Sequence, residues 1–282
     1  MGKYCCGVFL LLFSFIGISG GCSPQPQQVH LASSEQKRDK LIIAGSGSNL
    51  AVTKKLLAAF QEEQQMNIEI PGSIGSGGAI SGVANGSIDL GLTSRPLTEI
   101  EKAGGLKEIP YARSDIGVAV GPDVPDGNIS YEDLVEIYKG NKTTWSNDAS
   151  IVVFVMYEKD STNEVVMREI PGFKEVLLDS LRNHRWQVFY NQQAQEQALT
   201  KVPHSLGFIN MPAALEGIKV LKVNGITASR ENVLNGSYKL CKTLNFVYRE
   251  PIDPQMRTFI DFTFSQQGRN ILLGYECIPL SK

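Results

Sequence analysis

Gly72 to Arg95 reads GSIGSGGAISGVANGSIDLGLTSR. Gly75-Ser76-Gly77-Gly78 is a loop, and Ala79, Ile80, Val83 and Ala84 follow it as a small helix. Asn85-Gly86-Ser87 breaks that helix, and Ile88-Asp89-Leu90-Gly91-Leu92 reads as a buried strand ending on Thr93-Ser94-Arg95-Pro96. Glycines let the backbone approach a ligand closely, and a helix start leaves N–H groups without intrahelical partners. Those groups and the helix dipole favour an anion. Ser76 and Ser94 add hydroxyl donors, and Arg95 adds a planar fork suited to an oxyanion. The plain alternative is a flexible connection between helix and strand.

The same pattern occurs upstream. Leu41-Ile42-Ile43-Ala44 is a buried strand, Gly45-Ser46-Gly47-Ser48-Asn49 a turn, and a helix from about Leu50 sets Val52, Leu56, Leu57 and Phe60 on one face. Asn67 to Ile70 is a second strand. Strand, glycine turn, helix, strand, glycine turn, helix, strand is the alternation of an α/β fold, with ligand loops at the carboxyl ends of a parallel sheet. Neither turn is a nucleotide motif: GSGSN lacks the Lys-Ser/Thr of a P-loop, and GSGGAI has no acid placed for a ribose. A small anion suits them better.

The chain has 282 residues, enough for two modest α/β domains, and a net charge of −2, which gives a nucleic-acid role no support. Residues 1–22 form a separate object. Lys3 precedes the apolar run Val8 to Ile16, and Ser19-Gly20-Gly21 precede Cys22. The run is short for a membrane span, so it reads as a signal peptide. Ending on Cys22 resembles a bacterial lipoprotein signal, in which that cysteine carries lipid, although Ser19 stands where Leu, Val or Ile is usual; cleavage without lipid is the alternative. Residues 23–39 are rich in Gln, Ser and Pro and read as a disordered tether. Of the remaining cysteines, Cys5 and Cys6 leave with the signal. An exported context permits a disulfide between Cys241 and Cys277, with two buried thiols as the alternative.

Further along, Asp115 to Pro122 is a strand, Ser130 with Asp133 a capping box, and Ile151 to Met156 an apolar strand. Tyr157 to Asn163 is a polar turn before a helix from about Glu164. There Asp160, Ser161 or Thr162 is a helix cap or, in a functional reading, part of a further set of anion donors. Phe173 to Arg182 and Gln192 to Leu199 read as helices, and Leu206 to Met211 and Ile218 to Val223 as strands. Tyr238 to Tyr248 reads as a long strand that crosses back to the first domain, and Pro254 to Leu273 as one C-terminal helix. Asp89 is expected to make structural hydrogen bonds, and Lys142 and Trp145 to serve as loop and packing residues.

Together these segments resemble the phosphate-binding proteins of ABC transporters. The Gly72–Arg95 stretch is similar to that family's glycine loop and following strand, and Ser46-Gly47-Ser48 to its first phosphate loop. Tyr138 to Trp145 is similar to its F-x-GK-x-x-x-W segment, and Phe259 to Gly268 to its FIDFxxSxxGQ ending. The resemblance implies a two-lobed, type II periplasmic-binding-protein fold, each lobe a mostly parallel sheet flanked by helices. The lobes would be residues 40–120 with 239–282, and 121–238, crossing near Gly121 and Tyr238. It implies ligand contacts from Ser46, Gly47, Ser48, Ser76, Gly77, Gly78, Ser94 and Arg95 on one lobe and from Ser161 and Thr162 on the other.

One departure stands out. The family commonly supplies an arginine shortly before a Ser-Gly-Thr on the second lobe, and Met156 to Thr162 contains none. The expectation is that Arg95 supplies charge and Asp160 accepts a ligand proton, which would disfavour sulfate; the competing view is that Asp160 only caps a helix. The implied function is an exported, lipid-anchored, monomeric protein that captures phosphate or a related oxyanion and presents it to an ABC permease, with no cofactor, no metal and no catalysis. The alternatives are a sensory or adhesive domain of the same fold for another ligand, and an exported hydrolase. For the latter, His30, His184 and His204 lie outside any motif, and neither HExxH nor GxSxG occurs.

Overall fold

The computed structural model describes residues 40–64, 66–210 and 218–282; the expected signal segment, Cys22, His30 and the tether lie outside the described residues. The chain begins with β1 (Leu41–Gly45), α1 (Gly47–Glu63), β2 (Ile68–Glu69), α2 (Gly75–Ala84) and β3 (Leu90–Thr93). The short α3 (Glu99–Ala103) leads into the long β4 (Leu106–Val120). Next come β5 (Asn128–Ile129), α4 (Tyr131–Lys139), β6 (Val152–Met156), α5 (Ser161–Glu169), α6 (Phe173–Arg182), β7 (Gln187–Phe189) and α7 (Gln192–Leu199). β8 (Ser205–Asn210), β9 (Lys219–Val223), α8 (Arg230–Leu234), β10 (Cys241–Arg249), α9 (Pro254–Phe264), α10 (Gln266–Gly274) and β11 (Ile278–Pro279) complete it.

The strands lie in the order β2-β1-β3-β10-β4-β8-β6-β7, with β11 and β9 also on β4 and β5 on β9. β2, β1 and β3 are mutually parallel, and β10 runs against both β3 and β4, so β4 points the same way as the first three. Beyond β4 the direction reverses once: β8 and β9 oppose it, while β6, β7 and β5 run with them. Each half is therefore mostly parallel, a mixed α/β fold flanked by helices.

β4 is shared between the halves. Asp115 faces Cys241 on β10, and the next residue, Ile116, faces Asn210 on β8. Tyr111 and Ala112 enter a core with Ile43, Leu56, Phe60, Phe246 and Phe259, where Tyr111 stacks on Phe246 at 4.2 Å. Ile116, Val118 and Val120 enter another, with Tyr138, Val153, Phe173 and Phe208.

Both glycine turns prove to be the first turns of helices. α1 starts at Gly47, not near Leu50, and α2 at Gly75, not at Ala79. Gly45 is required where β1 meets β3, since a Cβ there would lie 2.0 Å from the Leu92 carbonyl oxygen. β4 begins at Leu106, well before the expected Asp115, and Pro110 is tolerated because the ladder to β10 shifts register there, between Leu244 and Asn245. The expected single C-terminal helix is two, because Ser265 leaves the helical conformation and caps α10 by accepting from the Gly268 N–H. The Ser130–Asp133 capping box is present, and α4 ends on left-handed Gly140.

The Cys241–Cys277 disulfide is absent; both thiols are free. Cys241 lies opposite Asp115 on one side of β4, while β11, which follows Cys277, pairs along the other side, with Ile278 opposite Arg113. Two strand spacings of about 4.8 Å separate such positions, more than the roughly 7 Å across which a disulfide closes. Cys277 is fully buried, and burial pushes its thiol up to about 12.

Candidate functional site

The carboxyl ends of β1 and β3 and the starts of α1 and α2 converge. Ser46 is the N-cap residue of α1, yet its side chain makes no capping bond; its Oγ accepts from Ser94 Oγ at 2.9 Å. α2 likewise has no side-chain cap. Ser76, in its first turn, accepts from the Ser94 N–H at 3.1 Å. Asn49, fully buried and unforeseen from the sequence, fixes this cluster. Its Nδ2 donates to the Thr93 carbonyl and its Oδ1 accepts from Ser94 Oγ. Ser76 thus acts as an acceptor within the protein, which leaves its O–H free to donate elsewhere, while Ser46 and Ser94 form a hydroxyl chain that ends on Asn49 Oδ1.

The other half contributes α5. Asp160 is its N-cap, accepting from the Thr162 N–H at 2.8 Å, and Ser161 and Thr162 form the first turn. Between the two halves stands Lys242, on β10. It is only 3% exposed. Its Nζ donates to Ser48 Oγ on α1 at 2.8 Å, to Thr162 Oγ1 at 3.0 Å and to Ser161 Oγ at 3.4 Å. Its hydrogen-bond partners among the described residues are hydroxyls, not carboxylates. Desolvation pulls the ammonium down to about 8, against the upward pull of Asp160, Glu164 and Glu196.

Lys242 was missed in the sequence, although a signal exists. Leu240, Lys242, Leu244 and Phe246 alternate along the strand, so the lysine occupies an inward position among apolar residues.

Arg95 behaves differently. Its guanidinium is held by both carboxylate oxygens of Glu101, at 2.8 and 2.9 Å, and donates to the Pro96 carbonyl. The hydrogen bond from Arg95 depresses the Glu101 carboxyl to about 2. Arg95 is therefore already neutralised at the edge of the site.

Two cavities meet at Ser161. The larger, about 650 Å³, is lined by Ser94, Arg95, Ser161, Glu164, Arg168 and Lys242 among others. The smaller, about 240 Å³, is lined by Ser46, Gly47, Ser76, Asp160, Ser161 and Gln192 among others. Ser48 is reached through Lys242, while Gly77 and Gly78 continue the first turn of α2 and line neither of these cavities. The Tyr157 hydroxyl closes against Gly75, where a Cβ would come within 2.8 Å of it. Behind the smaller cavity, Gln192 accepts from Asn210 and donates to Glu196, whose carboxyl is raised to about 7 by burial.

The remaining expectations fall outside this cluster. Asp89 accepts from the Ile42 N–H. Lys142 pairs with Asp133, and buried Trp145 donates to the His204 carbonyl. Among the described residues, no group of three His, Cys, Asp or Glu is placed to hold a metal ion, and no helix is long and apolar enough to cross a membrane. The arrangement is chemically suited to an oxyanion: donors from helix starts and hydroxyls surround one buried cation.

A model of the PBP superfamily domain matches residues 32–267. The phosphate-binding protein PstS of Borreliella burgdorferi is 23% identical over 257 residues, 84% of this chain and 89% of that protein. A phosphate-binding protein PstS 2 of Streptococcus agalactiae is 32% identical over 109 residues, 38% of this chain and 37% of that protein. Among solved structures, a putative phosphate ABC transporter substrate-binding protein from Clostridium perfringens, with bound phosphate, superposes with a TM-score of 0.77 at 27% identity, covering 86% of this chain and all of that one. By this evidence the chain belongs to the PBP superfamily.

Proposed function

We propose that this protein captures inorganic phosphate in the cleft between its two halves and presents it to an ABC permease, as an exported solute-binding protein that catalyses nothing. The observation that carries the reading is that Ser46, Ser76 and Ser94 of one half and Ser161 of the other line two cavities that meet at Ser161, where buried Lys242 holds Ser48, Ser161 and Thr162. The similarity to a phosphate-bound substrate-binding protein supports it. In this reading the lobes are residues 40–120 with 239–282, and 121–238, with a first crossing near Gly121; the change of β4's partners from β10 to β8 between Asp115 and Ile116 supports a crossing within that strand. Gly47, Ser76, Ser94, Ser161 and Thr162 supply donors, Ser46 orients Ser94, Ser48 holds Lys242, and Arg95 shapes the edge; Gly77 and Gly78 continue the first turn of α2 behind them. Lipid at Cys22 and the tether hold a monomer at the outer face of the plasma membrane. The free oxygen of Asp160 accepts the proton of hydrogen phosphate, which would exclude sulfate.

Calorimetric titration of the purified protein with phosphate, sulfate, molybdate and tungstate tests this. Phosphate heat without sulfate heat is expected. Heat from another oxyanion alone would change the substrate, and silence with all four would favour a sensory or adhesive domain.

A second reading rests on one contact. Lys242 Nζ lies 2.8 Å from Ser48 Oγ, the spacing of a nucleophile and its base in Ser–Lys hydrolases. Turnover of a nitrophenyl ester or phosphate ester that Ser48→Ala abolishes would favour it; no turnover would remove it.

A further inference from the structure

We propose that Lys242 is the residue that sets the affinity of the cleft for an oxyanion: its ammonium is the bound anion's direct counter-charge, and it ties both halves to that anion. The inference rests on the oxyanion reading above and assigns the charge that the sequence leaves unplaced, since Met156 to Thr162 carries no arginine and Arg95 is occupied by Glu101.

The geometry gives three reasons. First, Lys242 is the cation buried at the junction of α1, α5 and β10, and its hydrogen bonds end on hydroxyl oxygens. A buried charge without a counter-ion is unfavourable, so an anion entering here removes a standing penalty. Second, an ammonium donates three hydrogen bonds and accepts none. The two short ones hold Ser48 and Thr162 by their oxygens. The third, to Ser161, is long at 3.4 Å and is the one that turns to an oxyanion. Third, the residues it holds belong to opposite halves, so the same contact that neutralises the ammonium draws α1 and α5 together around the anion. Because β10 enters the strand ladder directly on β3 and β4, the ammonium is presented from the rigid sheet rather than from a moving loop.

Five charged groups face Lys242 or its neighbours. They are Asp160 at the cap of α5, Glu164 on α5 and Glu196 on α7, Arg168 on α5, which lines the same cavity, and Arg95 after β3, which lies 3.8 Å from Glu164. Glu164, half-exposed, is raised mainly by burial. None is an ion-pair partner of the lysine, and burial pulls its ammonium down to about 8 against the upward pull of the three carboxylates.

The test is phosphate titration of wild type, Lys242→Met and Lys242→Gln between pH 6.5 and 9.5. Melting curves and near-ultraviolet dichroism show that each variant is folded. At pH 7 the methionine variant is expected to bind roughly a hundredfold more weakly or worse, as for loss of one member of a buried charge pair. Phosphate's own ionisation cancels in the ratio of wild-type to Lys242→Met affinity. That ratio should shrink by roughly tenfold per pH unit above the lysine's midpoint. Should the methionine variant fail to fold, the glutamine variant supplies the same ratio. A wild type that binds phosphate while either folded variant binds within threefold of it, or a ratio flat with pH, would overturn the assignment and leave the oxyanion reading standing. A wild type silent to every oxyanion would overturn both.

Discussion

Arg95 and Lys242 border the same cavity and carry the same charge, but their surroundings differ. Arg95 sits on the turn after β3, about one-fifth exposed, with a carboxylate clamped across its guanidinium. Lys242 sits inside the sheet with hydroxyls for neighbours. A guanidinium already clamped by a carboxylate has less charge left to offer an anion, however suitable its planar shape. An ammonium among hydroxyls has everything to gain. The type of cation therefore says less about a ligand than the partners the cation already has.

The largest separation between the two should appear on truncation. Lys242→Met is expected to weaken phosphate binding roughly a hundredfold, whereas Arg95→Gln should cost less than about fivefold, close to what a partly exposed, already paired charge contributes. Titration calorimetry at pH 7 measures both, and equal losses would erase the distinction. The hydroxyls come next. Ser76→Ala removes one neutral donor to a charged ligand, a loss of about 1.5–3 kcal/mol or roughly ten- to a hundredfold, and Ser46→Ala breaks the hydroxyl chain that orients Ser94. Ser48→Ala removes a hydroxyl turned toward Lys242 and Gln192 and should cost less than either.

The stability of the ligand-free protein sharpens the contrast further. The folded state holds Lys242 below its ordinary value of 10.5, at about 8. Between those values the unfolded chain binds the extra proton, so this group's contribution to stability rises with pH across the window, and its penalty is complete below about 8. Thermal melts from pH 7 to 10 should show wild type gaining on Lys242→Met. Saturating phosphate should remove the difference in slope. The smallest expected effect lies behind the site. Glu196 is raised from 4.5 to about 7, so the folded state binds more protons in between, and this contribution is lost as pH rises through the window. Glu196→Gln should flatten that part of the stability profile, with a gain of order 1–2 kcal/mol at pH 8. A decrease at pH 8 would mean that the ionised carboxylate is favoured where it stands.

The glycine-rich turns made half of this site legible. Glycine and serine at two strand ends signal anion donors whether the turn is a loop or, as here, the opening of α1 and α2. A cap among Asp160, Ser161 and Thr162 was also readable, but not which of them: Asp160 caps α5, which starts at Ser161 and not near Glu164. The rest depends on distance in sequence. Lys242 reaches Ser48 and Thr162 only because β10 inserts between β3 and β4. Local pattern marked the lysine as inward-facing without saying what it faces. The length of β4 was hidden by Pro110 and by the charges of Lys107, Glu108 and Arg113, which look unlike an interior strand until the bulge against β10 accommodates them. The disulfide expectation failed for a related reason. Cysteine spacing carries no information that a strand stands between the two thiols.

The most direct measurement is the titration of the Lys242 ammonium itself, followed by nitrogen-resolved magnetic resonance in free and phosphate-saturated protein. A midpoint near 8 without anion, rising by at least one unit with phosphate, is the result this account predicts. An unchanged midpoint in protein that demonstrably binds phosphate would contradict it, and would place the anion's counter-charge elsewhere in the cleft.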